Sequence, residues 1–486
     1  MKNLWFSLKE EIAKNLKADI QEIEEPDKYG DFAYPCFNLA KKSKKNSNEI
    51  AKELAGKTKI ELIEKVEAMG PYVNFYVDWS KFGQLLLENV DDKYGGHFVK
   101  GKKALVEHTS INPNSSPHVG RVRNAIIGDS IVRLLKFMGY ETEVHFFVND
   151  VGKQIAMLAY AAKDTDLKKL KFGELLGMYV KANKQMKEKP EMEEELFNLL
   201  SKFESGDKDT IDSFRKIVSV CIEGQKKILS FLGIKYDYFD YESDYIINKK
   251  TDEIIKVLKK KGKIFTDDDG RTVLDLKGFD IPMESPALVL SRSNGTSLYQ
   301  LRDIAYTIDK INRSKDLNII VLGEDQRLYF QQLSAALSIL GYTPPKVVHY
   351  SFVLLPSGKM STRRGDVVLL EDFMKEAYEK ALEEIEKRYD DLTEKEKDDR
   401  SKKVANAAVR YSMVKVSPEK AMMFKWEEAL RFDGNTGPYL QYTYARANSI
   451  LEKSMVEEFN AKNLRDEKEI KLIKLLANYP SIIEKS

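Results

Sequence analysis

The chain has almost no cysteine. Cys36 and Cys221 are the only two in 486 residues. They lie too far apart for a zinc-type spacing, and they support no disulfide framework. There is no run of about 18 consecutive apolar residues, so no membrane span is expected. The start, "MKNLWFSLKEEIAKNL", is charged and amphipathic and lacks the apolar core and small-residue cleavage site of a secretory leader. A cytoplasmic protein is expected. Neither sign of charge is in excess: 79 Lys and Arg face 77 Asp and Glu, so net charge announces no nucleic-acid partner and any basic surface must be local. Internal repeats and low-complexity tracts are also missing.

Hydrophobic residues make up 42% and aromatics 10%, as in a folded globular chain long enough for several domains. Residues 1–95 read as a small α+β unit. "LWFSLKEEIAKNL" and "NSNEIAKELAGKT" have helical spacing, and "KVEAMGPYVNFYVDW" alternates like a strand around a Gly-Pro turn. From Ala104 the pattern becomes strand–helix–strand–helix: "ALVEH", "RNAIIGDSIVRLLKFMGY", "ETEVHFFVND", "VGKQIAMLAYAAK". That order predicts a doubly wound parallel sheet, with its first half over 96–164. Residues 165–250 read as a charged helical insertion. The sheet is expected to resume over 251–368 with "GKIFTDDDGRTVLDL", "PALVLSRSNGTSLYQLRDIAYTIDKI", "LNIIVLGEDQ" and "KVVHYSFVLL". Residues 369–486 predict a helical bundle. The fold class is thus multidomain α/β: a Rossmann-type parallel-sheet domain between a small N-terminal α+β domain and a C-terminal α-helical bundle.

Two stretches carry chemistry. "HTSINPNSSPHVGRVRNAIIGDS" (108–130) runs from a strand into a helix. Such a turn places free backbone N–H groups and the positive helix end over the sheet's carboxyl edge. Gly120 lets a flat or charged group approach the backbone. His118 can donate to a phosphate oxygen, and Arg121 and Arg123 lie in or near the first turn. An ordinary strand-to-helix turn with a surface His fits this stretch alone equally well. "LLPSGKMSTRRGD" (354–366) is a Gly-anchored loop with one Lys and two Arg. It suits clamping a polyphosphate as the leaving group departs, although a solvated basic loop has the same composition.

Together these stretches resemble the paired signatures of class I aminoacyl-tRNA synthetases. "HVGR" (118–121) stands where that family writes His-x-Gly-His, and "KMSTR" (359–363) where it writes Lys-Met-Ser-Lys-Ser. Arg121 replaces the second His and Thr362 the second Lys. One or more of Arg121, Lys359, Arg363 and Arg364 are expected to supply the missing charge. "EHTSINPN", "RNAIIGDS", "NDVGKQ", "GTSLYQLRDIAY", "GEDQRLYFQQL" and "GPYLQYTYARANSILEK" narrow the resemblance to the arginyl-tRNA synthetase family, over residues 1 to about 480.

The resemblance implies that L-arginine is activated with ATP and passed to tRNA(Arg), with Mg²⁺ expected on the phosphates and no metal held by protein ligands. His118, Gly120, Arg121, Lys359 and Ser361 would be catalytic, and Met360 and Arg363 would join His118, Gly120, Arg121 and Lys359 at ATP. Glu107, Asn112, His118, Tyr299, Asp303 and Gln326 would bind arginine. A planar guanidinium calls for carboxylates in bidentate reach, and Tyr299 and Asp303 stand four residues apart on one helical face. Rejecting neutral amino acids needs no editing domain, because the wrong substrate leaves buried carboxylates unpaired. Tyr72 and Asn74, on one strand face, would contact an unpaired tRNA base. Tyr442 and Arg446, with Asn448 on the same helix, would contact tRNA from the bundle. A monomer is expected. The resemblance implies a bundle that continues for roughly seventy more residues, so either the sequence is cut short or the protein natively lacks that part. That shortness, with Arg121 and Thr362, leaves a synthetase-like tRNA-binding protein without full aminoacylation as the alternative. A nucleotidyltransferase acting on another small molecule is the more distant one.

Overall fold

The computed structural model describes residues 4–486 except 187, 190, 315, 356–357, 360–367, 455–459, 462–463 and 465; of Leu355, Gly358 and Lys359 it describes the backbone. The chain divides into two compact units. One comprises 1–101, 136–140 and 451–486; the other comprises 102–135 and 141–450.

The first unit begins with α1 (Leu4–Leu16), β1 (Phe32–Pro35), α2 (Phe37–Ser43), α3 (Ser47–Lys57), β2 (Ile63–Met69), β3 (Tyr72–Val77) and α4 (Trp79–Glu88). Its strands form an antiparallel sheet in the order β1-β3-β2. Local chemistry sets the helix ends: the Asn46 side chain accepts from the Asn48 amide ahead of α3, and Asp78 accepts from Lys81 ahead of α4. The core gathers Trp5, Leu8, Ile12, Phe32, Phe75 and Phe82. Ile473 and Ala477 of the chain's last helix complete it.

The second unit carries β4 (Lys103–Glu107), α5 (Val119–Met138, whose last turn lies in the first unit), β5 (Glu141–Val148), α6 (Lys153–Ala161), α7 (Phe172–Met186), α8 (Glu191–Glu204), α9 (Lys208–Ser230), β6 (Tyr238–Tyr241), α10 (Glu242–Ile247) and α11 (Lys250–Lys260). There follow β7 (Ile264–Thr266), β8 (Thr272–Asp275), β9 (Ala287–Ser291), α12 (Tyr299–Arg313), β10 (Leu317–Gly323), α13 (Arg327–Leu340), β11 (Lys346–Tyr350), β12 (Val353–Leu355), β13 (Gly358–Lys359), α14 (Leu370–Glu386), α15 (Glu394–Val414), β14 (Met422–Met423), α16 (Trp426–Ala429) and most of α17 (Gly437–Ser454). The final helix, α18 (Glu467–Lys485), belongs to the first unit.

A five-stranded parallel sheet, ordered β11-β10-β4-β5-β6, organises the second unit. Its strands are short and apolar, and helices connect them, as a sheet buried on both faces requires. β4 is central, and the chain leaves it at Glu107 between β5 and β10, beside the point where strand order reverses. That crevice is where open α/β sheets hold ligands.

Four sequence expectations change here. The segment 165–250 is not helical throughout: Tyr238–Tyr241 is β6 and pairs in parallel with His145–Val148. Four residues are too few for a periodic signal, and the long charged helices before them mask it. "GKIFTDDDGRTVLDL" and "PALVLS" do not extend the parallel sheet; β7, β8 and β9 form a separate antiparallel sheet. The five residues joining β7 to β8 permit only a hairpin, since a parallel return needs a crossover of a dozen or more. The stretch 369–486 does not form one bundle. α14 and α15 pack in the second unit through Phe373, Ala377, Ala408 and Val409, whereas α18 completes the N-terminal core through Ile473 and Ala477. Likewise, residues 96–101 join the first unit rather than opening the sheet domain. Amphipathic periodicity says that a helix buries a face but not against what.

Candidate active site at the carboxyl edge of the parallel sheet

The turn after β4 is held in unusual backbone. Thr109 and Ser110 have φ of 76° and 43°, a left-handed conformation that a β-branched residue adopts only under external constraint. The constraints are visible. The Thr109 amide donates to Asn124 Oδ1 (2.5 Å), and Asn124 Nδ2 donates to the Val321 carbonyl (2.8 Å). The Tyr236 hydroxyl donates to Thr109 Oγ1 (2.7 Å). Ser110 Oγ lies 3.5 Å from Glu107 Oε1 and accepts from the Phe147 amide at 3.2 Å. Further along, Gln225 Nε2 donates to the Asn112 and Ser115 carbonyls at 3.0 and 2.9 Å, while Asn112 itself is exposed.

His118 stands at the start of α5. Burial, with Arg121 close by, pushes its imidazole pKa down to about 4, so the ring is neutral at pH 7. Its Nδ1 is buried and has no hydrogen-bond partner among the described residues. A neutral imidazole with an unused buried nitrogen is suited to donating to a ligand atom. Gly120 occupies the first turn of α5. Arg121 is partly buried, and its positive charge acts on the Tyr350 hydroxyl at the end of β11, against the rise that burial imposes there. Lys359 enters through its backbone in β13, with its side chain outside the described residues; Met360, Ser361, Arg363 and Arg364 lie outside them altogether.

The acidic half of the site comes from β4 and α12. Glu107 is 5% exposed and forms an ion pair with Lys310, itself 1% exposed. Lys310 also sits 4.2 Å from the centre of the Tyr306 ring. Asp303 lies seven residues, about two turns, before Lys310 on α12 and accepts from the Tyr329 hydroxyl (2.5 Å) and Thr307 Oγ1 (3.3 Å). Burial raises the pKa of both Glu107 and Asp303; Lys310 acts against this at each, and the charge of Asp303 adds to the rise at Glu107. The two carboxyl groups therefore feel one another and share one cation. Tyr299 is 46% exposed, with its ring 5.3 Å from that of Tyr329. Gln326 Nε2 donates to Asp325 at 3.1 Å, in the turn before α13.

Beyond this lie groups that the sequence does not single out. Arg302 Nε donates to Glu242 Oε1 (2.6 Å) in a buried pair. Desolvation outweighs Arg302 and lifts the Glu242 pKa to about 7. Asp150 is fully buried, accepts from the Ser243 amide (2.8 Å) and hydroxyl (2.5 Å), and has its pKa pushed up to about 6 by burial. Lys310, Tyr329, Arg302 and Glu242 are missed because their partners lie far away in sequence. "GEDQRLYF" and "LRDIAYTIDK" contain Tyr329 and Lys310 but give no local sign of pairing.

The arrangement can hold a nucleotide phosphate over the α5 start and a planar cation against Asp303. A family model described as the class I tRNA synthetase (R) catalytic domain matches residues 82–426. The chain belongs to the arginyl-tRNA synthetase family. The family's N-terminal domain model matches residues 6–77, and a DALR anticodon-binding domain model matches 440–486. The arginine–tRNA ligase of Methanocaldococcus jannaschii is 39% identical over 514 aligned positions, covering 100% of this chain and 87% of the relative. That of Methanocella arvoryzae is 41% identical over 460, covering 92% and 80%. The solved arginyl-tRNA synthetase of Thermus thermophilus superposes with a TM-score of 0.79 at 28% identity, covering 99% of this chain and 87% of that one.

The positions with tRNA expectations lie on other elements, β3 and α17. Tyr72 is partly exposed and meets the Phe37 ring edge-on (5.6 Å). Asn74 is only 4% exposed; Gly30 packs so closely over it that an added Cβ would come within 3.3 Å. Of the two, Tyr72 is the one that offers surface to a base. Tyr442 and Arg446 are exposed on α17, with Arg446 Nη1 donating to the Tyr442 hydroxyl (2.9 Å). Among the described residues, no helix is long and apolar enough to cross a membrane, and no three His, Cys, Asp or Glu side chains are grouped to hold a metal ion.

Proposed function

We propose that the chain activates L-arginine with ATP and esterifies it to tRNA(Arg). The carrying observation is the Asp303 carboxylate, backed by Tyr329, beside half-exposed Tyr299 on the same helix face. Asp303 and Tyr299 read the guanidinium, Asn112 and His118 face the α-amino and carboxylate end, and Gln326 closes the pocket. Glu107 shapes it from below through Lys310.

ATP lies over the start of α5, with adenine near Gly120 and phosphates at His118, Arg121, Lys359, Ser361 and Arg363, and with Met360 beside them. A carboxylate oxygen of arginine attacks the α-phosphorus, the α–β anhydride bond breaks, and pyrophosphate leaves. A hydroxyl of the terminal adenosine of tRNA then attacks the arginyl carbonyl. The ester forms, AMP departs, and the hydroxyl proton passes to AMP or water. His118, neutral at working pH, donates to the phosphate oxygen on which charge grows. The protein positions and stabilises without forming a covalent intermediate. Mg²⁺ would arrive on the phosphates, held by them and water. Tyr72, and on α17 Tyr442 and Arg446, are the proposed tRNA contacts. A cytoplasmic monomer is the proposed setting.

Arginine-dependent ATP–pyrophosphate exchange, with and without tRNA, followed by charging of tRNA, tests this. Exchange with charging is expected. Binding of tRNA with neither would overturn it in favour of a tRNA-binding protein without aminoacylation.

A further inference from the structure

Arg123 follows His118 by five residues on α5 and is completely buried. Its guanidinium donates to four backbone carbonyls. Nη1 reaches Ser351 and Lys420, each at 2.8 Å; Nη2 reaches Ser417 at 3.1 Å and Val416 at 3.5 Å. A rigid planar fork bound to carbonyls fixes where two backbone segments lie, which a single ammonium could not do.

Those segments lead to the second signature. Ser351 lies two residues before β12, and the 416–420 turn runs into β14, which pairs in parallel with β12 (Val353 with Met422, Leu354 with Met423). β12 in turn pairs with β13, with Leu354 opposite Lys359. The far flank is tied to the same helix start: the Val119 amide donates to the Val368 carbonyl (3.1 Å), and the Leu370 amide to the Pro117 carbonyl (2.8 Å). Both flanks of the segment bearing Lys359 are thus anchored on the element that begins at His118.

We propose that Arg123 is a positioning residue for arginine activation, setting the register between the His118 turn and the β12–β13 pair that carries Lys359. This rests on the assignment of His118 and Lys359 to ATP. Asp303, Glu107 and Tyr299 stand on α12 and β4, outside the segments that Arg123 bridges, and His118 adjoins the helix that carries Arg123, so it is the Lys359 side that is released and arginine affinity should change little.

The test is a double-mutant cycle of Arg123→Lys with Lys359→Ala, read by ATP–pyrophosphate exchange in the presence of tRNA, with folding checked by circular dichroism melting. Arg123→Lys is expected to lower turnover about tenfold and raise the ATP KM, leaving the arginine KM within about twofold. In the Lys359→Ala background the same change should cost less than about twofold, because the two act through one contact. A tenfold loss in both backgrounds, equal rises in both KM values, no loss at all, or an Arg123→Lys chain that does not fold would each overturn the proposal and leave Arg123 a core residue. Lys359→Ala with no effect of its own would instead defeat the ATP assignment of Lys359, and the coupling with it.

Discussion

The ammonium of Lys310 pairs with the carboxylate of Glu107, 203 residues away in sequence, and rests 4.2 Å from the centre of the Tyr306 ring. The proposed arginine site thus already contains one cation, paired with one of its two neighbouring carboxylates. The other, Asp303, accepts from two hydroxyls and feels Lys310 without pairing with it, so under the proposed function its ion-pair partner would be the substrate cation.

Removing the resident cation alone should therefore be costly. Lys310→Met leaves Glu107 buried without its partner and is expected to lower the free energy of unfolding by about 3–5 kcal/mol. The double variant Glu107→Gln with Lys310→Met should recover most of that loss. Urea unfolding of the parent and the two variants measures both; a double variant no better than Lys310→Met would contradict the pairing.

Asp303→Asn keeps the shape of the site and removes its charge. A charged hydrogen bond contributes about 1.5–3 kcal/mol, so the arginine KM in exchange should rise roughly ten- to a hundredfold while the ATP KM changes little. Equal effects on both substrates would count against the guanidinium assignment.

The Tyr329 hydroxyl bond works against the rise that burial imposes on the Asp303 pKa. Tyr329→Phe should let that pKa climb, so the carboxylate is lost at higher pH than in the parent. The acid limb of kcat/KM for arginine should move upward, with activity recovering at alkaline pH. An unshifted limb, measured between pH 5.5 and 9, would mean that Tyr329 does not act through Asp303.

Asp150 makes a separate prediction about stability. Its folded pKa, about 6, lies above the ordinary carboxyl value of 3.8. The folded state thus binds the proton more tightly, and the associated stability is greatest below pH 4 and declines as pH rises to about 6. Asp150→Asn cannot ionise and escapes this decline. Its stability relative to the parent should improve by about 2–3 kcal/mol between pH 4 and pH 7, read from denaturant melts across that range. A pH-independent difference would show that Asp150 does not titrate there.

How much of this was legible beforehand differs from element to element. β4, α5, β5 and α6 are readable as strand and helix because each is long enough for its periodicity to register. The turn at His118 is readable because the change of pattern and the small polar residues coincide. β6 is not, being four residues long. Nor is the antiparallel arrangement of β7–β9, whose apolar runs look like any buried strand until the short connection is seen to forbid a parallel return. Tyr299 and Asp303 are visible as an i, i+4 pair, but Tyr329 is not, because its partner Asp303 is 26 residues away on another helix.

By itself the sequence determined the order of elements, the strand-to-helix turn at His118 and the residue types at the sheet's edge, all consequences of local spacing and backbone preference. Only the tertiary structure decided that Glu107 faces Lys310, that Arg123 is held by the carbonyls of two distant segments, and that α18 completes the N-terminal core. Ion pairs and apolar contacts act through space, and nothing in the spacing of a single segment records which distant group will neutralise a buried charge or cover an apolar face.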